Sequence, residues 1–316
     1  MSLKVVVIGT GFGKQTAAPA FEAVGCEVTV VSPRDETAVR AAIAAPCDLV
    51  SIHSPPFMHL QHVQWATEHG RHVLCDKPFG CNAAEAEQML QLAEKAGVRH
   101  FLNFEFRFEP QRQKLKELLD TGAIGTPQHY ACSAYMNFGR DRPYGWLCDK
   151  NRGGGWIGAY ASHVVDALHW MFGEITEVQC LPRIDVPVRQ GAGEQQSQQF
   201  ECTAEDALIA QFRLANGMTA TLDTAFAAPV NLAPRIVVLG SEGSLECLPD
   251  GSLRLKPVSG DEQVVEGVGG YVIPLAMKAW AAEVCQAIAK AGPLAPDFSD
   301  GLRCARILDK MRSPAG

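Results

Sequence analysis

A chain of 316 residues with 47 % hydrophobic content exceeds what one core usually fills, so two domains are expected. Its formal net charge of −7, with no basic block, excludes the electrostatic footprint of a nucleic-acid binder. No apolar run approaches the roughly 18–20 residues of a membrane-spanning helix, the N-terminus lacks a signal pattern and the 11 cysteines form no C-x-x-C pair, so a cytoplasmic protein with reduced thiols is expected.

Lys4-Val5-Val6-Val7-Ile8 is a β-branched run of the kind that forms a strand buried on both faces. Gly9-Thr10-Gly11-Phe12-Gly13 follows at once, and an alanine-rich helical stretch runs on to Gly25. Strand, glycine turn and helix in that order are the setting in which a pyrophosphate sits on a helix N-terminus. Gly9 allows the tight turn, and Gly11 lets backbone approach the phosphates. The third glycine of G-x-G-x-x-G falls at Lys14, and Gly13 stands one place early.

A second strand, Glu27 to Ser32, ends about 20 residues past the glycines, where NAD enzymes place a ribose-binding carboxylate. Here the chain reads Ser32-Pro33-Arg34-Asp35. A hydroxyl and a guanidinium suit a 2′-phosphate, which favours NADP over NAD; Asp35 is the competing ribose ligand. The third strand, Asp48 to His53, runs into Ser54-Pro55-Pro56 and a helix from His59, whose ring is expected to face the ligand crevice. His72-Val73-Leu74-Cys75 is the fourth strand, with Asp76-Lys77-Pro78 as its exit. Asn82 with Glu85 reads as an N-cap and its carboxylate, opening a helix to Ala96. His100 to Phe104 is a fifth strand and Pro110 to Asp120 a further helix. Five strands alternating with helices predict a doubly wound parallel sheet of Rossmann type.

In the second half, Pro127 to Met136 reads as a strand that brings Tyr135 to the edge of a loop, 137–155, rich in Gly, Arg and aromatics and suited to a polar ligand. Tyr160 to Phe172 is helical and carries His163 and Asp166 on one face. The spacing His163-x-x-Asp166-x-x-His169 also resembles a metal face, but three-apart positions drift around a helix and no fourth ligand is indicated, so no metal is expected. Ala207–Leu214 and Met218–Phe226 flank Asn216-Gly217, a hairpin signal, and short strands follow at Arg235–Gly240, Ser244–Leu248 and Leu253–Lys256. Gly191–Gln199 reads as a polar turn, and Ala276–Ala291 and Gly301–Arg312 as closing helices. The second half is therefore an α+β domain with a mostly antiparallel open sheet.

Taken together, these residues resemble the glucose-fructose oxidoreductase / inositol dehydrogenase / MocA (Gfo/Idh/MocA) family. The resemblance rests on Gly9-Thr10-Gly11-Phe12-Gly13, Ser54-Pro55-Pro56, Asp76-Lys77-Pro78, Arg107-Phe108-Glu109-Pro110, Gly122-Ala123-Ile124-Gly125, Gly153-Gly154-Gly155, Ser162-His163-Val164-Val165-Asp166 and Asp300-Gly301-Leu302. It implies an NAD(P)-dependent oxidoreductase acting on a sugar, polyol or related hydroxy or carbonyl compound. It places the dinucleotide on residues 1–122 and the substrate and oligomer surfaces on 123–316, with the C-terminal helices free to pack back on the first domain. A homodimer or homotetramer through the C-terminal sheet is expected.

The catalytic residues implied are Lys77, His163 and Asp166, with Lys77–Pro78 expected to be cis. The cofactor set is Gly9, Thr10, Gly11, Phe12, Gly13, Ser32, Arg34, Ser54, Pro55, His59, Asp76 and Lys77. The substrate set is Arg107, Tyr135, Trp156 and His163. The chain departs from the family pattern in carrying Asp76 where the motif has Glu, and Ala159 where an aspartate four residues before the histidine is usual. With the second departure, either His163 works with Asp166 or water as its partner, or the substrate differs from the common polyols, or the activity is weak; a same-fold reductase of an imine, dihydrodiol or tetrapyrrole stays open, as does, from the fold alone, a non-catalytic NAD(P)-binding sensor.

Overall fold

The computed structural model describes residues 2–267, 273–290 and 292–313. They form two compact units, Met1–Phe108 with Ile273–Arg306, and Glu109–Val272 with Ile307–Gly316.

In the first unit five parallel strands, β1 (Lys4–Ile8), β2 (Glu27–Val31), β3 (Leu49–Ile52), β4 (His72–Asp76) and β5 (His100–Asn103), lie in the order β2-β1-β3-β4-β5. Val5 is level with Val28 on one side and Leu49 on the other. Val5 to Ile8 and all of β3 are buried, because helices cover both faces of a parallel sheet. These helices are α1 (Ala18–Glu22), α2 (Glu36–Ala44), α3 (His59–Glu68) and α4 (Ala83–Ala96). α2 is absent from the sequence reading; its start is set by Asp35, whose Oδ1 accepts the Ala38 N–H at 2.9 Å. α4 begins as the sequence indicates, with Asn82 accepting from Glu85 N–H, and ends on left-handed Gly97.

The C-terminal helix Ile273–Lys290 belongs to this unit. Its Met277, Trp280, Ala281 and Val284 join Val5, Val7, Phe21, Leu49, Leu74 and Phe101 in one apolar cluster. The fully buried Trp280 stacks on Phe108 at 4.6 Å between ring centres.

The second unit begins with α5 (Pro110–Asp120) and β6 (Pro127–Tyr135), and continues with α6 (Ser162–Phe172), β7 (Ile175–Arg183) and a two-stranded hairpin of β8 (Val188–Gln190) and β9 (Gln199–Glu201). The polar stretch 191–199 is the turn of that hairpin and its return. β10 (Ala207–Leu214), β11 (Thr219–Ala225), β12 (Leu232–Gly240), β13 (Gly243–Cys247), β14 (Leu253–Pro257) and β15 (Gln263–Val265) follow. With β6 and β7 they form one eight-stranded sheet, order β15-β14-β13-β12-β6-β11-β10-β7, antiparallel except where β6 runs parallel to β11. Asn216-Gly217 makes the β10–β11 turn with Gly217 at φ +86°. One face of the sheet, with Tyr130, Cys132, Ala134, Phe212 and Leu222, is buried; the other leaves Leu181 and Ile209 exposed. β7 escapes sequence reading because only Ile175 and Cys180 of its nine residues are buried, too few for a clear alternation.

Candidate active site

The turn after β1 is built on missing side chains. Gly9 has φ +156°, and a Cβ there would lie 2.7 Å from the His53 carbonyl oxygen. A Cβ on Gly11 would meet no protein atom within 4 Å, so its backbone faces open space that a pyrophosphate can approach. A Cβ on Gly13 would lie 3.1 Å from both Val7 Cγ1 and His53 Cβ, the close helix-to-strand approach that the third glycine normally provides. Gly13–Ala17 form a single π-helical turn in which Ala18 N–H reaches back to the Gly13 carbonyl. This turn lets Gly13 do the packing while Lys14 stays exposed, so the apparent defect in the motif is resolved in space. Thr10 is exposed, and the Phe12 ring lies 5.5 Å from that of His53.

Beyond β2, Arg34 is exposed and its backbone N–H reaches Ser32 Oγ at 3.3 Å. Asp35 caps α2 through its Oδ1. At the end of β3, Ser54 is held from two sides. Its carbonyl accepts from His59 Nε2 at 2.7 Å, and its hydroxyl pairs with His62 Nδ1 at 3.0 Å. Burial lowers both imidazoles, His62 to about 4, so both rings are neutral at neutral pH. His59 is wholly buried and presents no surface to a ligand. The expectation that it lines the crevice gives way to a supporting role behind Ser54 and the half-buried Pro55.

β4 ends in a network that the sequence conceals. Asp76 Oδ2 pairs with His53 Nδ1 at 3.0 Å, and His53 Nε2 pairs with Ser51 Oγ at 2.8 Å. Asp76 Oδ1 accepts the Lys77 N–H at 2.8 Å and Asn103 Nδ2–H at 3.2 Å. Burial pushes the Asp76 carboxyl up, but the His53 hydrogen bond and the nearby His53 and Lys77 charges outweigh it and hold the group below its ordinary value. Lys77 is half-buried and the Lys77–Pro78 peptide is cis. Arg107 is buried and pairs with Asp300 at 3.2 Å inside the same unit. Its guanidinium is thus engaged by the fold through this pair.

In the second unit α6 is preceded by another π-helical turn, Ile157–Ala161. Gly155, at φ +105°, leaves room for the Glu205 carboxylate, which accepts the Ile157 N–H at 3.0 Å. Burial raises the Glu205 carboxyl. Ser162 hydroxyl donates to the Gly158 carbonyl at 2.6 Å. His163 and Asp166 are both 3 % exposed on α6. Of residues 153–169, only Ala159, the place of the family aspartate, is not buried. His169 Nδ1 lies 3.2 Å from the Gly173 carbonyl oxygen. Among the described residues no group of three or more His, Cys, Asp or Glu side chains is arranged to hold a metal ion.

Trp156 is buried, stacked on Tyr160 at 5.1 Å, with its indole N–H on Thr224 Oγ1 at 2.9 Å. Tyr135 lies on the opposite face of the sheet from Tyr130 and Ala134, by strand alternation. Burial, then the hydrogen bond its hydroxyl donates to the Asp223 carboxylate, push that hydroxyl up to about 12. It therefore does not share a face with Trp156, and the substrate set expected from sequence divides between the two sides. His53, Asn103 and Glu205 were missed. His53 and Asn103 were visible as polar residues at strand ends and Glu205 as one in the loop before β10, but the partner that gives each its meaning is distant in sequence.

A family model described as an oxidoreductase family with an NAD-binding Rossmann fold matches residues 3–104, and one described as the GFO/IDH/MocA C-terminal domain matches 112–246. An uncharacterized oxidoreductase of Synechocystis sp. is 28 % identical over 267 residues, covering 77 % of this chain and 71 % of its own. Levoglucosan dehydrogenase of Pseudarthrobacter phenanthrenivorans is 24 % identical over 298 residues, covering 83 % and 76 %. A solved structure of levoglucosan dehydrogenase in complex with NADH and levoglucosan shares the fold, with TM-score 0.87, 21 % identity and coverage of 98 % and 96 %.

Proposed function

We propose that this chain, which belongs to the Gfo/Idh/MocA oxidoreductase family, transfers hydride between a nicotinamide dinucleotide and a carbinol or carbonyl carbon of a sugar or polyol. The observation that carries the reading is the open backbone at Gly11, between β1 and the wide turn Gly13–Ala17, in a parallel sheet whose strand β4 leads directly into Lys77. Backbone of Gly9 to Gly13 holds the pyrophosphate, while Ser54, Pro55, Asp76 and Lys77 form the nicotinamide end. When bound, the nicotinamide supplies the hydride acceptor or donor. Lys77 donates to the reacting oxygen and stabilises alkoxide character as it develops. His163 takes the hydroxyl proton, with Asp166 or water as its partner in place of the carboxylate missing at Ala159. The sugar class is supported by the levoglucosan dehydrogenase relative.

NADP is the favoured cofactor. Asp35, the rival ribose ligand, is committed to the α2 cap, which leaves exposed Arg34 beside Ser32 to read a 2′-phosphate. The partner is a second copy of the chain, seated on the open face of the eight-stranded sheet, where Leu181 and Ile209 face each other at 68 % and 41 % exposure. Eleven cysteines, none of them in a disulfide, support a cytoplasmic location.

Fluorescence titration with NADPH and NADH, on the wild type and Arg34→Ala, is the first test. Tighter NADPH binding that the variant loses supports the reading; binding of neither dinucleotide overturns it. A panel of sugars, polyols and imines under the preferred dinucleotide then sets the substrate. Lys77→Ala should lower turnover about 100-fold or more with little change in dinucleotide affinity.

A further inference from the structure

We propose that His53 is a positioning residue for Lys77. From beneath the glycine turn it fixes the Asp76 carboxylate that holds the Lys77 peptide, so one ring ties the dinucleotide cradle to the reactive lysine. The inference deepens the functional reading and rests on Lys77 being the catalytic ammonium.

The geometry leaves Asp76 no idle oxygen. Oδ2 is taken by His53, and Oδ1 by the Lys77 N–H and the Asn103 amide. The donors come from the ends of three strands: His53 directly after β3, Lys77 directly after β4, and Asn103 as the last residue of β5. The His53 side chain is fully buried. With the proton on Nδ1 donated to Asp76, Nε2 accepts from the Ser51 hydroxyl, and the chain of bonds is complete from Ser51 to Lys77. The same residue forms the floor of the turn. Its carbonyl and Cβ are the atoms that side chains on Gly9 and Gly13 would strike, and Phe12 leans on its ring. A displacement of His53 therefore moves both the phosphate cradle and the carboxylate behind Lys77. Other charged and titratable groups acting at this spot are His59, which faces Asp76, and Glu85, which acts on His59. Neither replaces the bond to Oδ2.

The test reads Lys77 directly and needs no substrate. Lysines are acylated with an N-hydroxysuccinimide acetate, and the Lys77 peptide is followed by mass spectrometry in the wild type, His53→Leu, His53→Asn, Asp76→Asn and the His53→Leu/Asp76→Asn double variant. Fluorescence titration with NADPH runs beside it. His53→Leu should raise the Lys77 acylation rate about fivefold while exposed lysines elsewhere keep theirs, in line with loss of a charge-assisted hydrogen bond. His53→Asn, which keeps a donor near the Nδ1 position, should restore the wild-type rate. In the Asp76→Asn background His53→Leu should add nothing further, because the effect runs through that carboxylate. Equal rates in the wild type and His53→Leu overturn the inference, as do additive effects in the double variant or failure of His53→Asn to rescue. Failure of the wild type to bind NADPH or NADH counts against the functional reading instead, and leaves the acylation result to decide the role of His53.

Discussion

The segment leading into the wide turn Gly13–Ala17 presents open backbone at Gly11, whereas the turn at Ile157–Ala161 is enclosed on every side but Ala159. Both introduce the helix that carries a site, and both leave a carbonyl that an ordinary helix would use differently. In the first unit the chain omits side chains at Gly9, Gly11 and Gly13 and leaves the Gly11 surface for a ligand. In the second unit the chain satisfies itself: Ser162 hydroxyl covers the Gly158 carbonyl, Glu205 accepts the Ile157 N–H, and Trp156 stacks on Tyr160. One segment leaves backbone open at Gly11. The other is a rigid mount for His163, whose helix is buried from Ser162 to His169.

The largest expected effect concerns that mount. Arg112 and Glu109, both buried, pair at 2.7 Å, and the Arg112 charge also acts on Tyr130 and Tyr160. Glu109→Gln would leave the guanidinium buried without its anion and should cost about 3–5 kcal/mol in urea denaturation. Dinucleotide affinity, a property of the first unit, should not change. A loss under about 1 kcal/mol would be the size of a solvated pair and would break the claim that the second turn rests on dry packing.

The first unit instead responds to acid. The folded-state value of His62 is lowered from 6.5 to about 4 by burial first and by His59 second. Because the folded pKa is depressed, unfolded chains bind the proton more readily, so stability is full above about pH 6.5 and is lost as pH falls toward 4. A shift of that size is worth roughly 3 kcal/mol. Denaturation midpoints at pH 7 and pH 4.5 check it, and His62→Gln should flatten that part of the profile. An unchanged slope in the variant would mean another group carries the acid sensitivity.

The parallel sheet was legible because β1 and β3 are buried on both faces and so spell themselves as apolar runs, and because the turn chemistry at Asn82 is local, as is that of Asn216-Gly217 in the second unit. What was hidden depends on parity or on distant partners. Tyr135 reads as a site residue until the burial pattern of β6 puts it on the other face. Arg107 reads as a free cation until Asp300, nearly two hundred positions on, pairs with it. Gly13 looks misplaced because a π-turn adds a residue that no periodicity announces. The match of His53 to the shorter carboxylate of Asp76 likewise exists only in three dimensions.

A pair of glycine variants separates cradle from fold. Gly9→Ala places a Cβ 2.7 Å from the His53 carbonyl oxygen at φ +156°, and should cost about 1–3 kcal/mol of stability as well as dinucleotide binding. Gly11→Ala meets nothing within 4 Å, so its melting temperature should match wild type while affinity for NADPH falls about tenfold. If Gly11→Ala binds as well as wild type, the open backbone there is not the phosphate site, and the contrast between the two turns loses its functional meaning.

The smallest effect distinguishes a cap from a ligand. Asp35 is the residue that an NAD enzyme would use on the ribose, yet its Oδ1 accepts the Ala38 N–H at the start of α2. If the cap is its whole role, Asp35→Ala should lower stability by about 1 kcal/mol and leave the ratio of NADPH to NADH affinity untouched. A ratio that moves several-fold toward NADPH would show the carboxylate opposing the 2′-phosphate from the cap position, and Arg34 would then be one of two charges setting cofactor choice. Because Ser32 Oγ is already tied to the Arg34 N–H, such a change would come from charge and not from rearrangement of the loop. Repeating the titration in high salt decides it, since an effect of exposed charge shrinks with ionic strength and a steric one does not.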